Sequence, residues 1–147
     1  MKPESHAARV HQIGEVADAV GLSLRTIRHY EQVRIVVPSA RSAGGFRLYT
    51  DGDVDRLRMV KRMKPLGLSL EEIREVLLLL DRLDRPGLDE SSRHRLAVYA
   101  SLAVERCDRL RQRLALAVEF TEVLGRAVKQ VEPENTSRAA TTPRSQT

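Results

Sequence analysis

Residues 91–128 contain no proline and a single glycine, Gly125. Along this stretch Leu96, Tyr99, Ala103, Leu110, Leu114, Ala117, Thr121 or Phe120, Leu124 and Val128 recur at spacings of three and four, broken only around Arg106 and Cys107. That spacing marks one face of a helix. At 1.5 Å per residue, about 37 residues make a rod of roughly 55 Å. With 3% aromatic against 31% charged residues, the chain is poorly supplied for a large core that would cover such a stripe. Pairing with a second copy is the expected cover, through Leu96, Tyr99, Ala103, Leu110, Leu114, Ala117, Thr121 and Leu124. Folding back onto the rest of the chain is the alternative, which the linker around Pro86-Gly87 permits.

The N-terminal part is punctuated differently. Ile13, Val16, Ala17 and Val20 fall at i, i+3, i+4 and i+7, and Gly21 supplies a left-handed stop. Ser23 is a good N-cap for a second helix over residues 24–32, with Leu24 and Ile27 facing inward. Two short helices joined by such a turn make a helix-turn-helix. Pro38 stops regular helix, and the Gly44-Gly45 pair between extendable flanks predicts a short hairpin, a wing, over residues 39–49. Thr50 with Asp53, then Ser69 with Glu72, are capping boxes opening two further helices. The first carries Val54, Leu57, Val60 and Met63 and is interrupted near Pro65 and Gly67; the second carries Leu70, Ile73, Leu77 and Leu80.

The fold class is therefore mainly α: a winged helix-turn-helix followed by a long dimerisation helix. Its expected divisions are a flexible extension at 1–10, the winged module at 11–81, a linker at 82–90, the dimerisation helix at 91–130 and a disordered tail at 131–147. No long apolar run or export signal is present, so a cytoplasmic protein without a membrane partner is expected.

Charge locates the partner. Residues 1–65 hold 12 basic against 7 acidic residues, whereas 66–147 hold 13 of each. The whole excess behind the net charge of +5 sits in the N-terminal module, concentrated in residues 25–64. A basic surface confined to one module fits a polyanion, with a merely solvated face as the alternative.

Ile13-Gly14-Glu15-Val16-Ala17, Gly21-Leu22-Ser23 and Thr26-Ile27-Arg28-His29-Tyr30-Glu31 resemble the N-terminal signature of MerR-type transcription regulators. Gly45-Phe46-Arg47-Leu48-Tyr49 resembles the family's wing. Asp53-Val54, Arg56-Leu57 and the run from Leu66 to Ile73 resemble its second helix pair. The resemblance implies a long helix that pairs with its twin as an antiparallel coiled coil, in a homodimer on pseudo-palindromic double-stranded promoter DNA, with RNA polymerase as an indirect partner. It also implies distortion of an overlong promoter spacer, a form of indirect readout costing about 1–6 kcal/mol for a bent site. An architectural protein that bends or coats DNA without gating a promoter is the alternative.

Arg25, Thr26, Arg28 and His29 lie off the apolar face of the second helix, available to a major groove. Arg25 suits base reading or a phosphate contact equally. The resemblance adds Arg28 and Tyr30 as DNA contacts, although Tyr30 would also suit packing against the wing. Arg41 and Arg47 flank the wing turn and suit phosphates. Tyr49 and Lys64 resemble backbone-contacting positions of the family. Arg58, Lys61 and Arg62 read mainly as solvated helix charges.

Two departures stand out. His29 replaces the first Tyr of a usual Tyr-Tyr-Glu, and Arg34 stands where the family often has Gly. If the backbone at Arg34 is left-handed, it costs about 1 kcal/mol relative to Gly, unless the turn differs or a contact offsets the strain.

No cofactor is expected. One cysteine, Cys107, falls in mid-helix and reads as a packing residue. Metal-sensing relatives place cysteines where this chain has Asp89, Glu90, Ser91 and Ser92 and, beyond the long helix, residues 132–135. His6, His11, His29 and His94 show no ligand spacing. A large ligand domain like that of drug-sensing relatives does not fit in the residues after Val128. No paired carboxylates, activated nucleophile or phosphate loop suggests an enzyme.

Overall fold

A computed structural model describes residues 9–83 and 87–131. The expected extension and tail therefore fall almost wholly outside the described residues, as do positions 84–86 of the linker and residues 132–135. The elements run β1 (Val10–Gln12), α1 (Ile13–Val20), α2 (Leu24–Gln32), β2 (Ala40–Arg41), β3 (Arg47–Thr50), α3 (Asp51–Met63), a 3-10 turn (Lys64–Leu66), α4 (Leu70–Asp81) and α5 (Glu90–Val131). Two compact units result, divided between Arg106 and Cys107.

The first unit is organised by local stops and caps. Gly21 ends α1 at φ 68°, a left-handed backbone that favours glycine, and a Cβ there would stand 2.8 Å from Lys61 Nζ, displacing that flexible tip. Ser23 caps α2, accepting from the Thr26 amide at 3.0 Å. Thr50 and Asp53 exchange 2.8 and 3.3 Å bonds at the start of α3, and Ser69 and Glu72 exchange 2.7 and 3.1 Å bonds at the start of α4. Each box satisfies two amides that a helix start leaves open.

These helices enclose one core. Val16, Ile27, Tyr49, Leu57, Val60 and Ile73 are fully buried, with Val20, Tyr30, Ile35, Val36, Val54 and Leu77 packed around them. Leu24, expected to face inward, is instead 40% exposed, because the first turn of α2 extends past the packed face.

The sheet has the order β1-β3-β2, antiparallel throughout. β1 lies opposite Leu48–Thr50 in register Val10↔Thr50, His11↔Tyr49 and Gln12↔Leu48. It begins within the stretch expected to be an extension. His11 Nε2 also lies 2.6 Å from Asp51 Oδ1, tying this strand to the start of α3.

α5 opens on Asp89, whose Oδ1 accepts from the Ser92 amide at 2.6 Å. Within the first unit its opening turns return to the module. The Tyr99 hydroxyl donates to Glu75 Oε2 at 2.6 Å, Arg95 pairs with Glu75, and Arg106 Nη1 donates to the Leu66 carbonyl at 3.1 Å. Leu96, Tyr99 and Ala103 are half-buried here, with Tyr99 packed against the core. These three seam candidates thus have cover from their own chain, as the alternative of folding back requires.

The second unit, taken alone, is bare helix. Leu110, Leu114, Ala117, Thr121 and Leu124 are all exposed. Leu116, Phe120 and Val123 add a neighbouring apolar stripe, 67%, 61% and 48% exposed. No described helix is long and apolar enough to cross a membrane.

Candidate nucleic-acid interface

The outer face of α2 carries the chemistry. Burial of Ile27 and Tyr30 fixes the rotation of the helix, which leaves Arg25, Arg28 and His29 exposed on the other side. With Thr26, Tyr30 and Gln32, and with Lys64 and Leu70 from the junction between α3 and α4, they line an open cleft of about 830 Å³. Six of the expected DNA contacts therefore come together: Arg25, Thr26, Arg28, His29, Tyr30 and Lys64. Their access differs. The Thr26 hydroxyl lies 2.8 Å from Ser23 Oγ, within the cap. Tyr30 is 5% exposed, so its ring belongs mainly to the core, and burial pushes its phenol above the ordinary value.

The end of α2 is held by cations. Arg34 takes φ 56°, the left-handed region, and is the one described non-glycine residue to do so. Its amide donates to Glu31 O at 3.0 Å, and the Ile35 amide reaches back to Tyr30 O at 2.9 Å. That pair of bonds is the usual end of a helix closed by Gly. The turn is thus of the glycine type, and the Arg34 side chain forms no hydrogen bond or ion pair with other described residues. Arg56 Nε donates to Ile35 O at 2.7 Å, while its Nη1 grips Asp81 at 2.9 and 2.8 Å. α3 thereby links the tail of α2 to the end of α4.

Lys61 is the exception among the three helix cations read mainly as solvated: its Nζ donates to the carbonyls of Val20 at 2.7 Å and Gly21 at 3.4 Å, closing α1. Arg58 does lie at the surface, beside Asp55 at 2.9 Å.

The wing turns on Gly45 at φ 79°, with the Ser42 amide bonded to Phe46 O at 2.8 Å. Phe46 stands at its tip, 67% exposed. Arg41 Nη1 donates to Gly45 O at 3.1 Å, across its own turn. Arg47 and Tyr49, two residues apart on β3, share one face of the strand and both meet Glu31 of α2. Arg47 Nε lies 2.8 Å from Glu31 Oε2, and the Tyr49 hydroxyl donates to Glu31 Oε1. Tyr49, expected at the DNA backbone, is instead fully buried with its hydroxyl taken. Burial first, then Glu31, raises its phenol far above the ordinary value.

Among the described residues no group of three or more His, Cys, Asp or Glu side chains is placed to hold a metal ion. Cys107 is half-buried.

The chain matches two family models in succession, "MerR HTH family regulatory protein" over residues 12–80 and "MerR, DNA binding" over residues 54–119. It is 33% identical over 112 residues to the HTH-type transcriptional regulator HmrR of Sinorhizobium medicae, covering 76% of this chain and 70% of that protein. It is 37% identical over 82 residues to the HTH-type transcriptional activator mta of Bacillus subtilis, covering 56% of this chain but 30% of that one. In fold it is similar to HiNmlR, a MerR-family regulator lacking the sensor domain and solved on promoter DNA. The TM-score is 0.62 at 20% identity, over 84% of this chain and 95% of the other.

Proposed function

The chain belongs to the MerR family of helix-turn-helix regulatory proteins, and on that premise we propose that it binds a pseudo-palindromic promoter site as a homodimer and distorts the spacer. The observation that carries the reading is the outer face of α2. There Arg25, Arg28 and His29 are exposed on one cleft with Lys64, and the wing cations Arg41 and Arg47 belong to the same unit. In this reading Arg25 and Arg28 meet base edges or phosphates in the major groove. Arg41, Arg47 and Lys64 grip the backbone.

Dimerisation is supported by the exposed stripe of Leu110, Leu114, Ala117, Thr121 and Leu124, which water would otherwise cover. Two copies bring two recognition helices to two half-sites, as operator dyad symmetry requires. The deformed duplex then costs about 1–6 kcal/mol, offset by added contacts. RNA polymerase acts as the indirect partner, engaging the promoter once the spacer is remodelled. Placement in the cytoplasm follows from work on chromosomal DNA.

Selection of bound fragments from the source genome, followed by footprinting, tests this reading. Two half-sites related by a dyad are expected. Affinity should fall by on the order of 10³–10⁵ between 50 and 200 mM salt if 6–10 phosphates are contacted. A footprint without dyad symmetry overturns the dimeric regulator. Even coating of arbitrary duplex would favour an architectural role instead.

A further inference from the structure

Glu31 is out of place by charge alone. It sits on the last turn of α2, where the helix dipole disfavours an anion, and on the helix that offers Arg25 and Arg28 to a polyanion. A solvated carboxylate there would weaken both the helix and its ligand. This one is not solvated: its side chain is 10% exposed. One oxygen faces Arg47 Nε at 2.8 Å and the other accepts from the Tyr49 hydroxyl.

The partners explain the position. Arg47 and Tyr49 are two residues apart on β3, the central strand of the sheet, and both reach Glu31. One carboxylate therefore joins the recognition helix to the wing. Arg47 is 38% exposed, and its Nη nitrogens form no hydrogen bond with other described residues. A guanidinium held at its Nε edge still has four N–H donors on the Nη side, the side suited to phosphate.

We infer that Glu31 is a positioning residue for DNA binding, holding Arg47 by its Nε edge so that its Nη edge is presented to a backbone phosphate while the wing is fixed to α2. The inference rests on the DNA-binding reading above. It makes an unusual demand of sign. Removing a negative charge beside a polyanion should tighten binding by simple electrostatics. Removing a positioning carboxylate should weaken it.

The experiment measures the affinity of the full chain for the duplex recovered by fragment selection, across a salt series, with melting temperature recorded for every variant. Glu31→Gln keeps the shape and a hydrogen-bond acceptor for Tyr49 but loses the ion pair. It should bind about tenfold more weakly while remaining folded. Glu31→Asp keeps the charge on a shorter arm and should lose affinity similarly. In an Arg47→Met background, Glu31→Gln should add little further loss, since the two residues act as one unit.

Equal or tighter binding by Glu31→Gln overturns the inference, as do losses that add independently in the double variant. Rescue by Glu31→Asp also overturns it, because charge would then suffice without reach. Failure of the unaltered chain to bind any selected duplex is a separate outcome, which removes the DNA-binding reading and the inference with it.

Discussion

Lys61 Nζ lies 2.7 Å from the carbonyl oxygen of Val20, so the C-terminus of α1 is closed by a cation from α3. The ammonium meets carbonyls that the helix itself cannot satisfy, at the end where the dipole favours positive charge. Lys61→Met keeps the length of the side chain and removes the donor. The variant should lose about 1 kcal/mol in urea unfolding. An unchanged midpoint would mean that water replaces the ammonium without cost.

Arg34 carries a left-handed backbone without a side-chain partner among the described residues. Arg34→Gly should therefore stabilise the module, by up to about 1 kcal/mol once the greater freedom of glycine in the unfolded chain is set against the relieved strain. Thermal unfolding of the two proteins in parallel is the measurement. A less stable glycine variant would show that Arg34 is held by something other than its backbone.

All three tyrosines of the chain are shifted the same way. Burial, with help from Glu75, pushes the Tyr99 phenol from the ordinary 10.0 up to about 12. Each folded value lies above the unfolded one, so the associated stability is fully present below pH 10 and is lost as pH rises through the folded values. Absorbance of tyrosinate near 295 nm should stay low past pH 10 and rise together with unfolding. A titration step at the ordinary value in folded protein would contradict the burial of at least one ring.

Leu110→Glu places a charge on the exposed stripe of the second unit. The proposed dimer should dissociate, visible as a halving of mass in light scattering, and binding to a two-half-site duplex should fail. An unchanged dimer mass would place the seam on another face, the stripe of Leu116, Phe120 and Val123 being adjacent.

Arg25→Ala separates two kinds of contact. If Arg25 reads a base, the set of selected sequences should relax at one position, with about 1–3 kcal/mol of discrimination lost. If it meets phosphate, affinity should fall evenly across sequences and the salt dependence should flatten.

What the sequence made legible follows from the range of the interactions. Gly21, Ser23, Thr50 with Asp53, and Ser69 with Glu72 act on amides within a turn or so, and their elements stand where the spacing predicts. α5 follows from a long run without breakers. The exposed face of α2 was legible because the burial of Ile27 fixes where Arg25 and Arg28 point.

Interactions across the chain were not. β1 is three residues long, too short for an alternating pattern, and exists because β3 is there to pair with it. Lys61 looks like any helix-surface lysine until α1 is placed against α3. The buried hydroxyl of Tyr49 depends on Glu31, on an element separated from it by the whole wing. Leu96 and Tyr99 carry the spacing of a seam, yet the Glu75 side chain of α4 gives Tyr99 a partner within its own chain.

Arg56 holds the Ile35 carbonyl with one nitrogen and Asp81 with another. In genetic terms, a search for variants that lose promoter recognition should not recover only the basic face of α2. Changes at Arg56 or Asp81, which act on the end of α2 from α3 and α4, should appear among them. They would behave as loss-of-binding alleles whose defect a second change elsewhere in the same module can suppress.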